Sequence, residues 1–319
     1  MRHPGRDARA RFTHCVYLTA MTSSQTLASA AVPSASHNDL MCRVVTAVAG
    51  TLMAAVAAAT TWLVADLVLT DPQWQSRDQT AMRSVAVPTD VAEQMVTALE
   101  TVTVGAAALA LLGCLVFAAL RRRWAHAFAA ALVVGLANVT TQVLKYQVFE
   151  RTNFGYGTLQ SLPSGHTTVV VSLACAALIV APRVGRWLTV FAASALTTLV
   201  GTAVVAGGWH RPSDAVTAIT VCMTWAGVAL AAAAVVQRAD PHASTGIRWL
   251  LRWPWYLAAA LSGSAAVAVG AIAIGLYGIG SHTAALGAIG LLSIGVSGAF
   301  LISAVATVLH GLDRAGSSR

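Results

Sequence analysis

Charged residues are scarce in this chain of 319 residues: they make up 10% of it, against 57% hydrophobic residues. A soluble domain carries about 25% charged residues, so this composition leaves too little polar surface for a chain that faces water. The mean hydropathy is +0.69, and apolar stretches reach the roughly 20 residues that cross a bilayer. The scarcity of charge therefore excludes a soluble domain and predicts a multi-pass membrane protein.

Cysteine and acidic residues are also few. The five cysteines include no CxxC pair, which excludes a disulfide framework and a thiolate metal site. The 12 acidic residues are scattered, so we predict neither a metal centre nor a cofactor. The net charge of +8 lies partly in the N-terminal tail and partly in short turns. This distribution gives no reason to predict nucleic-acid binding.

Continuous apolar runs, without the alternation that a transmembrane barrel needs, predict an all-α bundle. We place about eight spans at residues 43–70, 99–120, 125–145, 166–182, 188–209, 213–236, 254–279 and 283–309. The polar residues 1–41 predict a disordered cytoplasmic tail. Residues 42–237 then form a six-span core, residues 238–253 a cytoplasmic connection, and residues 254–319 two glycine-rich spans and a tail.

The distribution of basic residues predicts the orientation. With a cytoplasmic N-terminus, fifteen of the twenty Lys and Arg residues fall on the cytoplasmic side, as the positive-inside rule requires. The other five lie outside: Arg77, Arg83, Lys145, Arg151 and Arg211. We therefore predict a protein of the cytoplasmic membrane with both termini in the cytoplasm.

Two short polar clusters interrupt the apolar chain at the outer ends of predicted spans. The first is Pro163–His166, with the sequence Pro-Ser-Gly-His, and the second is His210–Asp214, with the sequence His-Arg-Pro-Ser-Asp. Upstream lie Lys145, the only lysine in the chain, and Arg151. Because the spans are placed without reference to these motifs, their convergence on one membrane face independently indicates a single extracytoplasmic site.

The first cluster suits an anion such as phosphate. Ser164 and Gly165 lie where the fourth predicted span begins, so free backbone N–H groups and the positive end of the helix dipole are available there. Lys145 and Arg151 add positive charge. The alternatives are ordinary ones: a Ser-Gly pair caps many helices, and a lysine at the outer end of a span commonly extends its amine to the interface.

The second cluster suits nucleophilic catalysis. Pro212 fits the first turn of the sixth predicted span, and the turn before it brings the Asp214 carboxylate onto Nδ1–H of His210. Nε2 of His210 is then free to attack. His166 would supply a proton to the leaving oxygen, which requires the two histidines to hold different protonation states. The alternative is an interfacial histidine beside a helix-capping aspartate.

On these motifs, the chain resembles the type 2 phosphatidic acid phosphatase superfamily of membrane lipid phosphatases, over about residues 100–236. The family carries three short motifs, here called blocks. The second block, Pro-Ser-Gly-His, is complete at Pro163–His166. The third block ends in His-x3-Asp, and this half is complete at His210–Asp214. The resemblance implies a six-helix core, an outer-face site and a covalent phosphohistidine at His210, without a metal. It also implies that His166 is the general acid and that phosphate is held by Lys145, Arg151, Ser164 and Gly165.

Two departures from the family pattern concern basic residues. In the family's first block, six residues separate a lysine from an Arg-Pro pair. Here only five residues separate Lys145 from Arg151, and Thr152 stands where the family has proline. In the third block, the family has an arginine six positions before the histidine, and this chain has Val204 there. Because losing one donor to a developing oxyanion costs about 10²–10³ in rate, we predict that Arg211 takes over this contact with phosphate.

Three functional classes remain. The first is hydrolysis of a lipid phosphate or diphosphate, the second is a lipid phosphotransferase, and the third is a non-catalytic lipid-binding or transport protein. The intact histidine pair favours catalysis, whereas the missing arginine favours the third class. The alternative to a phosphate contact for Arg211 is a salt bridge to Asp90 or Glu93. The predicted partners are the bilayer and a membrane lipid phosphate. The outer segment 71–98, with a short amphipathic helix from Asp90, is predicted to cover the site.

Overall fold

The computed structural model describes residues 37–100, 104–156, 161–236, 251–276 and 281–315, which form an all-α multi-pass bundle with no strand among them. The helices are α1 (His37–Thr70), α2 (Pro72–Ser84), α3 (Thr89–Glu100), α4 (Val104–Leu120), α5 (Trp124–Val143), α6 (Gly165–Val180), α7 (Arg186–Ala206), α8 (Pro212–Val236), α9 (Trp253–Leu276) and α10 (Ser281–Ala315). A π-helical turn, Leu144–Val148, extends α5. The predicted fold class is therefore confirmed.

In the described part of the chain, five helices are long and apolar enough to cross a membrane: α1, α5, α7, α8 and α10. Two shorter apolar helices are α4 and α6, and α9 adds a further 24 residues of almost wholly apolar sequence. Large apolar side chains face outward, as Leu109 does with 70% of its surface exposed. The eight predicted spans thus correspond to α1 and α4–α10, which confirms the membrane class.

Two helices extend beyond their predicted boundaries. Residues 37–41, assigned to the disordered tail, are the first turns of α1. The thiol of Cys42 just beyond them is buried and lies 3.7 Å from the carbonyl oxygen of Gly311, so α1 packs on α10 from its start. The last span continues to Ala315 because Asp313 is buried against basic side chains. Residues 1–36 of the predicted tail and 238–250 of the predicted connection lie outside the described residues.

Close helix packing in the bundle depends on glycine. Where α1 crosses α8, a Cβ atom at Gly50 would lie 2.8 Å from the carbonyl oxygen of Gly227, and one at Gly227 would lie 2.5 Å from that of Gly50. Small residues permit such approach where lipid surrounds the helices. On α10, a Cβ at Gly290 would lie 2.7 Å from the ring of Pro212. The last helix therefore packs directly on the first turn of α8, where the second polar cluster lies.

The segment after α1 contains a helix where the sequence predicts a loop. Asp71 caps α2: its Oδ1 accepts the N–H groups of Gln73 and Trp74 at 2.7 and 3.0 Å, and Pro72 occupies the first helical turn. The predicted amphipathic helix near Asp90 is confirmed as α3. Because α2 packs against α10 and α8, this segment covers the end of the bundle that carries both polar clusters.

Candidate active site

Helix directions bring the candidate residues to one end of the bundle. The helices α1, α5 and α7 end there, and α6 and α8 begin there, because the apolar helices alternate in direction along the chain. The two positive helix ends of α6 and α8 point to the same region, which favours an anion.

The turn from α7 to α8 places His210 against Asp214. Gly208 adopts a φ of +74°, a conformation that favours glycine, and the N–H of His210 donates to the carbonyl oxygen of Val204 at 3.1 Å. Nδ1 of His210 then lies 3.4 Å from Oδ2 of Asp214, the contact that the spacing predicted. The same oxygen accepts the backbone N–H of Arg211 at 2.9 Å. Asp214 therefore caps the helix and orients the imidazole at once.

Arg151 approaches the other oxygen of this carboxylate. Its Nη2 lies 3.4 Å from Oδ1 of Asp214, and its side chain is only 2% exposed. The Nε and Nη1 atoms of Arg151 are buried and have no hydrogen-bond partner within the described residues. An unsatisfied buried donor costs about 1–3 kcal/mol, and more when it is charged. An anion at this position would remove that cost.

The backbone of Thr152 makes a hydrogen bond that a proline at this position could not make. Its N–H donates to the carbonyl oxygen of Leu69 at 3.2 Å, and its own carbonyl oxygen accepts Nε2 of Gln75 at 3.1 Å. These two bonds tie the loop that carries Arg151 to α1 and α2. A proline at this position has no N–H and would lose the first of them.

Ser164 joins the two clusters. It is fully buried, and its N–H donates to the carbonyl oxygen of Asp214 at 3.0 Å. Its Oγ accepts the N–H of Thr167 at 3.4 Å and the hydroxyl of the same residue at 3.0 Å. The capping alternative is therefore present in the structure, and the cap also fixes the start of α6 beside the histidine–aspartate pair.

Gly165 leaves open space at the start of α6. A Cβ atom there would meet only Nε2 of Gln142, at 3.9 Å, which is ordinary contact. No described neighbour therefore requires glycine at this position. Space beside a helix N-terminus is the arrangement expected where a ligand approaches the backbone closely.

His166 and Lys145 complete the group without a direct bond to it. His166 is exposed and lies in the first turn of α6. Lys145 lies in the π-helical turn, partly buried, with its Nζ 5.7 Å from the ring centroid of Tyr146. The structure thus brings Arg151, His210, Arg211 and Ser164 into contact with Asp214, and among the described contacts His166 and Lys145 make no hydrogen bond or ion pair with this group.

Arg211 is held by the covering segment. Its Nε donates to Oε1 of Gln79 at 2.8 Å, and its Nη1 lies 3.4 Å from Oγ of Ser161. Its Nη2 lies 3.4 Å from the carbonyl oxygen of Tyr156. The side chain of Val204 is fully buried in the apolar core. These contacts hold Arg211 against α2 and the loop before α6, and its predicted contact with phosphate stays a prediction.

The sequence reading missed the acidic partner from α2. Asp78 accepts the N–H of Ser213 at 3.2 Å and also its hydroxyl, so a second carboxylate lies at the start of α8. Burial and repulsion from Asp214 raise the pKa of Asp78 to about 6. The Asp71-Pro72 cap was the available signal for α2, but nothing in the sequence pairs Asp78 with a residue 135 positions away.

No family model, curated protein or solved structure matches this chain. The chemistry of the site is therefore argued from its own groups: an imidazole held by a carboxylate, a buried guanidinium with two unpaired nitrogens, and open backbone at a helix N-terminus. Together these groups can bind a phosphate and attack it.

Proposed function

We propose that this protein hydrolyses a lipid phosphate or diphosphate through a phosphohistidine at His210. The observation that carries the proposal is Arg151, whose buried side chain contacts Asp214 and leaves two nitrogens unpaired. Helix capping accounts for Ser164 and Asp214, but it gives no reason to bury an arginine with unused donors. A phosphate beside His210 supplies that reason.

In the proposed first step, Nε2 of His210 attacks phosphorus and the bond to the leaving oxygen breaks. Asp214 holds Nδ1–H, which keeps the proton off the attacking nitrogen and stabilises the imidazolium. His166, exposed beside the site, gives its proton to the leaving oxygen. In the second step His166 takes a proton from water, the water oxygen attacks the phosphohistidine, and phosphate leaves with His210 restored.

Arg151, Lys145 and the first turn of α6 hold the phosphoryl oxygens in this proposal. Charge builds on those oxygens in the transition state, so donors fixed in advance are worth more there than in water. Ser164 positions the start of α6, and Gly165 leaves room for the phosphate. Arg211 secures the loop and α2 and adds positive charge beside the nucleophile.

The membrane setting supports a lipid substrate. The site lies at the ends of apolar helices, so a lipid can present its head group there while its acyl or prenyl chain stays in the bilayer. A phosphate that is esterified to an apolar chain meets this geometry whether it is a monoester or a diphosphate.

The proposed orientation has the site on the extracytoplasmic face and the termini in the cytoplasm. Cysteine introduced at the exposed Glu150 should react with a membrane-impermeant maleimide in intact cells, whereas cysteine at the exposed Arg121 should react only after lysis. Unsubstituted protein measures the background from native cysteines. The reverse labelling pattern would contradict this orientation.

The function is tested by phosphate release from purified full-length protein in detergent, over a panel of lipid mono- and diphosphates with chelator present. We expect release from at least one lipid and its loss in His210→Ala, while His310→Ala, at the other end of the bundle, retains wild-type turnover. Transfer of phosphate to an added alcohol without free phosphate would identify a transferase. Wild-type turnover in His210→Ala would contradict the mechanism.

A further inference from the structure

A second buried polar cluster lies at the opposite end of the bundle, around Asp313 near the end of α10. Oδ1 of Asp313 contacts Nη2 of Arg123 and lies 2.9 Å from Nε2 of His126. Oδ2 contacts Nη2 of Arg186 and lies 3.6 Å from Nε of Arg183. We call these five residues the Asp313 cluster. It joins the turns α4–α5 and α6–α7 to the last helix.

The Asp313 cluster has more positive than negative charge. Three guanidinium groups surround one carboxylate, which leaves a surplus of two positive charges among the described residues. Arg186 is only 2% exposed, and its Nε and Nη1 are buried without a hydrogen-bond partner in the described part of the chain. Burying uncompensated charge is costly, and this cost falls on Arg186, because the side chains of Arg123 and Arg183 are partly exposed.

Helix capping explains why Arg123 and Arg183 lie in the cluster. Nη1 of Arg123 donates to the carbonyl oxygens of Val180 and Ala181 at 3.4 and 3.2 Å, at the end of α6. Arg183 donates to the carbonyl oxygen of Asp313. Cations at helix C-termini are favourable in this way. The two unused nitrogens of Arg186 have no such explanation.

The depth of the cluster indicates a lipid environment. Trp124 follows Arg123 and is 68% exposed, and Trp187 follows Arg186 and is 64% exposed. Exposed tryptophans at span ends mark the level of the lipid head groups. Guanidinium groups bind phosphate oxygens in pairs, and basic pockets between spans bind anionic head groups.

We infer that the Asp313 cluster is a second anion site, in which Arg186 binds a phosphate group at the membrane face opposite His210. The ligand is an inorganic phosphate or the phosphate of an anionic lipid head group. It adds the negative charge that Asp313 alone does not supply and holds α5, α7 and α10 together at this end.

The test measures thermal unfolding of the full-length protein in detergent as inorganic phosphate is added, and separately in micelles containing phosphatidic acid or phosphatidylcholine. All variants carry Arg151→Gln, so that phosphate at the other end does not contribute. We expect saturable stabilisation, an apparent Kd at least tenfold weaker in Arg186→Gln, and no change in Arg121→Gln, which removes an exposed arginine outside the cluster. Stabilisation by phosphatidic acid alone would identify a lipid site; equal stabilisation by inorganic phosphate would identify a phosphate site.

Asp313→Asn separates binding from a purely structural role. It removes the one carboxylate and leaves three guanidinium groups, so an anion site should bind phosphate at least tenfold more tightly and phosphate should restore lost stability. A structural set of ion pairs would be weakened by this change without any gain in phosphate binding, and that result would overturn the inference. If Arg186→Gln does not fold, the double variant Arg183→Gln with Asp313→Asn is measured instead. Tighter phosphate binding than in wild type would support the anion site, and lost stability without that gain would overturn it.

Discussion

The two ends of the bundle contain the same residue types, arginine, histidine and aspartate, in different arrangements. At one end, Asp214 contacts Nδ1 of His210 and leaves the other ring nitrogen available. At the opposite end, Nε2 of His126 lies between Asp313, at 2.9 Å, and Nη2 of Arg123, at 2.6 Å. In the proposed mechanism the first arrangement presents a nucleophile, whereas in the second the one ring nitrogen Nε2 of His126 makes both contacts.

Helix direction adds to this difference. The His210 end contains the starts of α6 and α8, whose backbone N–H groups attract a negatively charged reacting group. The Asp313 end contains the C-termini of α4, α6 and α10, whose carbonyl oxygens attract arginine. Both ends leave two buried nitrogens of one arginine unpaired among the described residues. An anion therefore suits both ends, but the proposed mechanism uses a nucleophile only at the His210 end.

The largest expected effect on a single step comes from His166→Ala. Removing a placed acid should lower kcat on a lipid phosphate by about 10²–10⁴-fold, and an aryl phosphate with a good leaving group should recover part of the rate. Steady-state kinetics on both substrates provide the measurement. Equal losses on both substrates would show that His166 does not protonate the leaving group.

Next in size is Arg151→Gln, which removes the buried guanidinium beside Asp214. We expect kcat/KM to fall by about 10²–10³-fold, since an oxyanion donor is lost. The same change at Arg121, an exposed arginine of the other end, should leave kcat/KM within about twofold of wild type. If Arg151→Gln has no larger effect than this control, Arg151 is a structural residue.

A smaller effect is expected from Gly165→Ala. The added methyl group meets no close neighbour in the folded protein, so the Tm should stay at the wild-type value while phosphate approach is hindered. We expect kcat/KM to fall about tenfold, which corresponds to about 1.4 kcal/mol. Gly135→Ala is the matched control, because a Cβ there also meets nothing within 4 Å. A full-rate Gly165→Ala enzyme would mean that no ligand needs this space.

The last prediction concerns the covering helix α2 and is a pH dependence of stability, with no change in turnover. The pKa of Asp78 is raised from 3.8 to about 6 in the folded protein, so between these values the folded state binds a proton that the unfolded chain has lost. The free energy of unfolding should therefore fall as pH rises from about 4 to 6, by at most about 3 kcal/mol. Asp78→Asn should remove this slope. Thermal unfolding of the wild type and of Asp78→Asn across that pH range tests this prediction. An unchanged slope in Asp78→Asn would mean that another group causes the pH dependence.

The sequence predicted the parts of the site that are local in the chain. Four-residue spacing was enough to predict the contact between His210 and Asp214, because a turn entering a helix has few conformations. The helix start at Ser164 followed from its residue types in the same way. The apolar runs predicted the membrane helices, since span length and composition determine them without knowledge of their packing.

The unpredicted features depend on contacts between distant segments. Asp313 is separated from its basic partners by 127–190 residues, and no local pattern distinguishes it from an aspartate in a polar tail. The backbone of Thr152 is held by hydrogen bonds to Leu69 and Gln75, which lie on two different helices. These features require the packing of α1, α2 and α10, which hydropathy alone does not specify.

The measurement that tests the central claim most directly is chemical quenching of the purified protein during turnover of a radiolabelled lipid phosphate. The account predicts an acid-labile, base-stable phosphoryl group on the peptide that contains His210, absent from His210→Ala and accumulating in His166→Ala with an activated substrate. Sustained turnover without a phosphoenzyme, or with the label on another residue, would contradict it.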